Sequence, residues 1–177
     1  LWALSFYSSH MLRIDMERML GQQRFSTVNY VASQLNGELN DRINGLELIA
    51  GAIDPATLDT PATLQAFLDQ RFVLHNLFNA GVNAYRIDGT AIAVSPMLAE
   101  RIGLNYMDRD YVAGALNEGR ATIGHPVFGR TVRSPIIGIA VPIRNPQGAI
   151  VGALGGLINL DKPSFLDKIT NNNYGHT

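Results

Sequence analysis

Arginine is the residue type with the clearest chemical potential in this 177-residue chain, because it supplies twelve of the fourteen basic side chains. The stretch 120–144 has no Asp or Glu and carries Arg120, His125, Arg130, Arg133 and Arg144. Arg109 lies just upstream, between Tyr106 and Tyr111. Since a guanidinium group can hold both oxygens of a carboxylate, this pattern predicts an aromatic, cationic pocket for a small anion. The alternative that these arginines are solvated at strand ends, or paired with neighbouring acids, stays open.

Catalytic constellations are missing from the sequence. There is no cysteine, so disulfides, thiolate metal sites and cysteine nucleophiles are excluded. The four histidines lack metal-site spacing, and GxSxG does not occur. Asp108 and Asp110 stand at the start of a predicted helix. An acid in that position is stabilised by the positive end of the helix dipole, so a capping role is favoured over a metal site. We therefore expect no enzymatic activity in this chain, and neither a metal nor a cofactor.

Charge and hydropathy exclude two further classes of protein. The formal net charge of −1 argues against a nucleic-acid partner. No apolar run is long enough to span a bilayer. Residues 1–10 begin with apolar and aromatic side chains and then turn polar, which is typical of the end of a transmembrane helix, although a frayed hydrophobic N-terminus fits as well. Because the chain does not begin with Met, we expect it to be part of a longer protein, and the apolar start of residues 1–10 suggests that this protein is anchored in a membrane.

The predicted elements form an α+β pattern. Apolar residues at three- and four-residue steps predict one long helix over 11–53, and Thr60-Pro61 opens a shorter helix. A hairpin follows over 82–94 with an Asp88-Gly89 turn. A helical insert ending at Gly119 comes next, and then three strands near 121–128, 135–143 and 149–160. We expect five antiparallel strands, with Gly152, Gly155 and Gly156 allowing the long helix to pack closely on the sheet.

The insert and the strands after it contain several short motifs. The insert reads Asn105-Tyr106-Met107-Asp108-Arg109-Asp110-Tyr111-Val112. The strands that follow carry Ile123-Gly124-x-Pro126-Val127, Ala140-Val141-Pro142-Ile143 and Gly155-Gly156-Leu157-Ile158-Asn159-Leu160. These motifs resemble those of Cache domains, which are PAS-like extracytoplasmic sensors of bacterial receptors, and the resemblance covers nearly the whole chain. It implies a long N-terminal helix packed on a PAS-like five-stranded antiparallel sheet with a helical insert.

The resemblance also implies a domain organisation typical of double Cache receptors. Residues 1–10 would end a transmembrane helix, 11–53 would form a stalk helix, 54–160 the membrane-distal module, and 161–177 the start of a truncated second module. A receptor of this kind has an output domain beyond this chain, such as a diguanylate cyclase, a histidine kinase or a chemoreceptor. We expect a periplasmic location at the inner membrane and a homodimer formed through the long helix.

The ligand-binding positions of the family match only in part. Amino-acid-binding members use an Arg and a Trp-Tyr pair in the insert for the carboxylate. Here Arg109 matches the Arg, Tyr111 stands at the Trp position, and Val112 replaces the Tyr. Their ammonium-binding Tyr and two Asp positions hold Val127, Gly129 and Leu157. A buried ammonium would lack a carboxylate partner there, so a free α-amino acid is disfavoured.

We therefore predict a sensor module that binds a small carboxylate or other anion. The candidate ligand-binding residues lie in the insert and the strands after it: Tyr106, Arg109, Tyr111, His125, Val127, Gly129, Arg133 and Leu157. The alternative is a structural module that binds no ligand and serves as a spacer and dimerisation unit of the receptor.

Overall fold

The computed structural model describes residues 29–163 of the chain. The described residues belong to two compact units: residues 39–163 lie in the unit Leu39–Ser164, and residues 29–38 lie in a second unit. In the second unit, the described residues 29–38 are helical. The predicted transmembrane end and most of the predicted second module lie outside the described residues.

The long helix, the helix that begins at Pro61 and the helical insert occur where the sequence predicted them, as far as they are described. Helix α1 covers residues 29–51 of the predicted 11–53, and residues 11–28 lie outside the described part. The helices after it are a 3₁₀ helix (Pro55–Asp59), α2 (Pro61–Asp69), α3 (Phe72–Leu77), a 3₁₀ turn (Ala99–Arg101) and α4 (Asp110–Ala113), which continues as a π-helical turn (Gly114–Glu118). Within residues 29–163, no helix combines the length and apolar composition that a membrane span requires.

The sheet has six antiparallel strands in the order β2-β1-β6-β5-β3, with β4 also paired to β5. Their bounds are β1 Val82–Arg86, β2 Ala91–Ser95, β3 Thr122–Ile123, β4 Val127–Phe128, β5 Pro135–Arg144 and β6 Ile150–Asn159. The predicted hairpin is β1–β2, and its turn is closed by Asp88 Oδ1, which accepts a hydrogen bond from the Thr90 amide at 2.9 Å. The sheet and helices confirm the predicted α+β architecture.

The strand predicted near 121–128 is divided into β3 and β4, so the sheet has one strand more than expected. The His125 amide donates to Asp110 Oδ2 at 2.9 Å instead of to the neighbouring strand. Pro126 has no amide hydrogen to offer. The two consecutive residues therefore cannot continue the ladder, and pairing with β5 resumes at Val127.

The glycines of β6 pack against different partners from those expected. A Cβ at Gly155 would lie 2.8 Å from the ring of Tyr85, and one at Gly156 would meet the ring of Phe78. At Gly152 the nearest atom is the Tyr85 carbonyl oxygen, followed by the Leu58 side chain. The prediction that these glycines admit the long helix is wrong: they admit side chains from β1, from the 3₁₀ helix and from the end of α3.

The insert lies on the sheet through one apolar cluster. Tyr111, Val112, Ala115 and Leu116 pack there with Tyr85, Ala91, Tyr106, Ile136, Ala140, Ala153 and Leu157. A Cβ at Gly138 of β5 would run into the ring of Tyr111, so the absence of a side chain makes room for this tyrosine. The insert ends at Gly119, as predicted, in the left-handed conformation (φ 65°) that suits glycine.

Candidate functional site

Three buried tyrosines, Tyr85, Tyr106 and Tyr111, lie between the insert and the sheet, and together they form the tyrosine cluster. Tyr85 and Tyr111 are almost completely buried and Tyr106 is 5% exposed. The rings of Tyr85 and Tyr106 meet edge to face with centroids 5.6 Å apart. Burial, together with the nearby Tyr111, raises the pKa of Tyr85 well above its ordinary value. Burial likewise raises the pKa of Tyr111 to about 12, so these hydroxyls stay protonated at neutral pH.

Backbone hydrogen bonds to the β1–β2 hairpin fix the position of Tyr106. Its amide donates to the Gly89 carbonyl at 2.9 Å. Asn105 donates through Nδ2 to the Asp88 carbonyl at 2.7 Å. The start of the insert is thus held against the turn that the Asp-Gly signal predicted.

Arg109 lies at the N-cap of α4, and its side chain is 16% exposed. Its Nε lies 3.6 Å from Asp108 Oδ2, and the same oxygen accepts a shorter bond of 2.7 Å from Arg130 Nη2. Burial raises the pKa of Tyr106, while the guanidinium groups of Arg101, Arg130 and Arg109 oppose that rise. These arginines therefore lie close enough to Tyr106 to act on its hydroxyl.

Arg130 joins the loop 129–134 to the insert. Its Nη1 donates to the Asn105 carbonyl at 2.9 Å, and its guanidinium lies 5.7 Å from the ring centroid of Tyr106. The loop itself is closed by the Gly129 amide, which donates to the Ser134 carbonyl at 2.9 Å. Arg133 is exposed in this loop and has a positive φ of 52°.

A buried guanidinium, that of Arg101, lies beneath the same loop. Arg101 is 1% exposed. Its Nε donates to Thr131 Oγ1 at 2.9 Å, and Nη1 donates to the Ala80 carbonyl at 3.0 Å and to Asn83 Oδ1 at 3.4 Å. Asn83 in turn donates to the Tyr85 hydroxyl at 3.0 Å. This polar network connects the loop with the buried tyrosines.

His125 lies at the surface, where its side chain is 92% exposed and its Nδ1 is 2.6 Å from Asp110 Oδ2. Burial alone would raise the pKa of Asp110, but hydrogen bonds from the His125 amide and ring and from the Tyr111 amide lower it. Asp110 thus ties the segment between β3 and β4 to the first turn of α4.

The remaining predicted positions are apolar or lack a side chain. Leu157 is buried in the cluster beneath the insert, and Val127 packs against that cluster. Gly129 is buried, with Val132 and Ile136 around the place of its missing Cβ. The structure brings Tyr106, Tyr111, Val127 and Leu157 together around one cluster and places Arg109 at its edge.

Sequence reasoning missed two residues of this arrangement. Arg130 stood out in the acid-free stretch, but nothing in the sequence distinguished it from Arg133. Arg101 follows Glu100 in the loop after β2, and no pattern in the sequence indicated that it is buried. Both depend on the conformation of the loop 129–134, which has no sequence periodicity.

Arg120 and Arg144 lie elsewhere. Together with the end of α1 they line an open groove of about 410 Å³, whose other residues are Glu47, Ala50, Gly51, Gly119, Ala121 and Pro142. Arg120 pairs with Glu118, and Arg144 donates to the carbonyl groups of Gly119 and Gly148. Two arginines of the acid-free stretch are therefore not part of the tyrosine cluster.

One serine contacts both an aspartate and a histidine. Ser95 Oγ donates to Asp69 Oδ1 at 2.6 Å and lies 3.2 Å from His75 Nε2. Because the hydroxyl proton goes to the carboxylate, the histidine is not placed as the base that would activate this serine. Elsewhere in the described range, no three His, Asp or Glu side chains are grouped as they would be around a metal ion.

Comparison with known proteins identifies the fold. No protein-family model matches the chain, and no curated protein sequence matches it. The ligand-binding domain of the Pseudomonas fluorescens chemoreceptor CtaA, in complex with L-serine, is 23% identical, with a TM-score of 0.65 over 80% of this chain and 58% of its own. That of Pseudomonas aeruginosa PctB, in complex with L-Gln, is 24% identical, with a TM-score of 0.66 over 85% and 59%.

A third structure, the ligand-binding domain of Pseudomonas aeruginosa PctC in complex with GABA, is 21% identical, with a TM-score of 0.64 over 89% of this chain and 67% of its own. At these identities the likeness establishes the fold alone. This chain spans between 58% and 67% of the length of the three neighbours.

Proposed function

Because the chain has the fold of a Cache-type sensor domain, we propose that it is the extracytoplasmic ligand-binding module of a transmembrane signalling receptor, and that its ligand is a small carboxylate. One observation carries the proposal. Arg109 lies mostly buried at the edge of the tyrosine cluster, and the carboxylate beside it, Asp108, is bound more closely by Arg130. The Arg109 guanidinium therefore retains donors for a ligand carboxylate next to protonated tyrosine hydroxyls.

The ligands of the neighbouring chemoreceptor domains support this chemistry, since L-serine, L-Gln and GABA each contain a carboxylate. They also contain an ammonium group, which a buried site must match with an acid. Here the corresponding positions hold Val127, Gly129 and Leu157. The nearby Asp108 and Asp110 are bound to arginine and histidine, respectively. We therefore infer a carboxylate ligand without a neighbouring ammonium.

Signalling in this proposal requires only that the ligand binds one packing of the module more tightly than another. The insert and the loop 129–134 both contact the tyrosine cluster, and β5 and β6 beneath it form the centre of the sheet. A ligand between insert and sheet would shift the balance between such packings. The long N-terminal helix would carry the change towards the membrane.

A thermal-shift screen tests the proposal. The purified chain is heated with small carboxylates, amino acids, polyamines or purines, and Arg109→Ala is measured in parallel with Arg120→Ala as an exposed control. A ligand at a hundredfold its Kd adds about 2.7 kcal/mol, or roughly 5–10 °C in Tm for a chain of this size. We expect a carboxylate to shift the wild type and Arg120→Ala but not Arg109→Ala. Equal shifts in all three proteins would place the site elsewhere.

The second candidate function is a structural module without a ligand. The observation that favours it is the near-complete burial of Tyr85, Tyr106 and Tyr111, whose rings occupy much of the space between insert and sheet. This alternative predicts no shift with any compound. It also predicts a tight dimer by light scattering whether or not small molecules are present.

A further inference from the structure

The strongest feature that the proposed function does not use is the buried Arg101 side chain. It comes from the 3₁₀ turn after β2, and only 1% of the residue is exposed. All of its hydrogen-bond acceptors are neutral oxygens, namely the Thr131 hydroxyl, the Ala80 carbonyl and the Asn83 amide oxygen. Among residues 29–163, no carboxylate lies within ion-pair distance of this guanidinium.

The hydrogen bonds of Arg101 also leave some N–H donors of its guanidinium unused. They involve Nε and Nη1, and none in the described part of the chain involves Nη2. A guanidinium has five N–H donors in a planar fork, and a buried one is stable only when those donors and its charge are matched. Among residues 29–163, the two N–H donors of Nη2 therefore have no acceptor, and the positive charge of the group has no carboxylate partner.

The charged groups around Tyr106 are also more positive than negative. The groups that act on the Tyr106 hydroxyl are the guanidinium groups of Arg101, Arg130 and Arg109 and the carboxylate of Asp108. Arg109 and Arg130 share that one carboxylate. Around Tyr106, three positive charges therefore face one negative charge. Arg101 and Arg109 also act together on Tyr111, where the Asp110 carboxylate accepts a hydrogen bond from the Tyr111 amide and is bound to His125.

We propose that Arg101 binds a second anionic group of the ligand, so that the site takes a small molecule with two anionic groups. One group would bind at Arg109 and the other at the unused donors of Arg101, with the tyrosine hydroxyls beside both. This inference rests on the proposed function, because it assigns the charge of the ligand at the same site. A dianion would supply one negative charge to Arg101 and one to Arg109.

A purely structural role for Arg101 makes different predictions. In a structural role, the hydrogen bonds of Arg101 would fix the loop 129–134 through Thr131 and the start of β1 through Ala80 and Asn83. Thr131→Val would then weaken the loop much as Arg101→Met does, and neither variant would change the selectivity for charge. A ligand-binding role predicts that only Arg101→Met changes that selectivity.

The experiment compares malonate, succinate and glutarate with their monoamides by isothermal titration calorimetry. Each monoamide keeps the size of its parent but has one negative charge. The proteins are the wild type, Arg101→Met, Thr131→Val and, as an exposed control, Arg120→Met. Charged hydrogen bonds of this kind are worth about 1.5–3 kcal/mol, or roughly 10- to 150-fold in affinity.

We expect at least one dicarboxylate to bind the wild type about 10-fold or more tightly than its monoamide. Arg101→Met should remove that preference by weakening the dicarboxylate alone, while Thr131→Val and Arg120→Met keep it. The wild-type preference is informative even if Arg101→Met does not fold. If every dicarboxylate binds the wild type no better than its monoamide, or if Arg101→Met keeps the preference, the inference is wrong.

The two proposals fail in distinguishable ways. Monoanion binding that depends on Arg109, without any preference for a second charge, would leave the sensor proposal intact and overturn the role of Arg101. If no carboxylate or other compound of the screen binds the wild type, both proposals are overturned.

Discussion

At the scale of single residues, Tyr111 shows how the buried site responds to pH. Its ring fills the space beside Gly138, and burial raises its pKa from 10.0 to about 12. The folded state therefore keeps a proton that the unfolded chain loses above pH 10. The stability that depends on this proton is complete below pH 10 and is lost as the pH rises towards 12.

This difference gives a measurable prediction for Tyr111→Phe. Two pKa units correspond to about 2.7 kcal/mol, so the free energy of unfolding of the wild type should fall by up to that amount through Tyr111 alone between pH 10 and pH 12. Urea unfolding at pH 8, 10 and 11 should show a smaller loss in Tyr111→Phe. The exposed Tyr30 provides the control, and an equal pH dependence in Tyr111→Phe and Tyr30→Phe would contradict the argument.

For the site residues, the sequence predicted which side chains could bind a ligand better than it predicted which of them are buried. Tyr106, Arg109 and Tyr111 are close in sequence, and the structure places them around one cluster as their spacing implied. Arg101 and Arg130 reach that cluster through the conformation of the loop 129–134. Loop conformation depends on hydrogen bonds between distant residues, such as Arg101 to Thr131, and these leave no local pattern in the sequence.

At the scale of elements, the predictions succeeded where local signals decide the structure. The Asp88-Gly89 turn and the glycine that ends the insert are set by backbone conformation, which the residue types reveal. The division of the strand near 121–128 depends on the carboxylate of Asp110, which takes the His125 amide from the ladder. That contact joins residues from two elements, so no local pattern could have indicated it.

The packing of α4 on β5 predicts the effect of Gly138→Ala. The added methyl group would overlap the Tyr111 ring, and overpacking of a buried site costs about 1–3 kcal/mol. We expect a decrease in Tm of roughly 2–12 °C, measured by differential scanning calorimetry. Gly37→Ala is the matched control, because a Cβ at Gly37 of α1 meets nothing within 4 Å.

A double-mutant cycle tests whether the loss of stability comes from this clash or from a general intolerance of β5 to a larger side chain at position 138. Tyr111→Leu removes the ring that the new methyl group would meet, so Gly138→Ala should cost less in the Tyr111→Leu background. Strict additivity of the two substitutions would show that Tyr111 is not the obstacle.

At the scale of the whole molecule, dimerisation through the long helix remains a prediction, and the described part of α1 sets a limit on its strength. Within the unit Leu39–Ser164, α1 buries Leu46, Ile49 and Ala50 against its own module. The side chains left outward along this part are mostly polar, and Leu48, which is 75% exposed, is the large apolar one. Stable interfaces need a larger apolar centre than one leucine provides.

We therefore expect any dimer formed through residues 39–51 to be weak, and Leu48→Glu to shift it to the monomer. Sedimentation velocity over a range of protein concentrations measures this equilibrium, with Glu47→Gln as the control at the adjacent exposed position. A weak, concentration-dependent dimer would agree with a sensor whose two copies can rearrange when a ligand binds. A tight dimer that survives Leu48→Glu and ignores every carboxylate would instead favour the structural module, since it would place the stable interface outside this part of the helix.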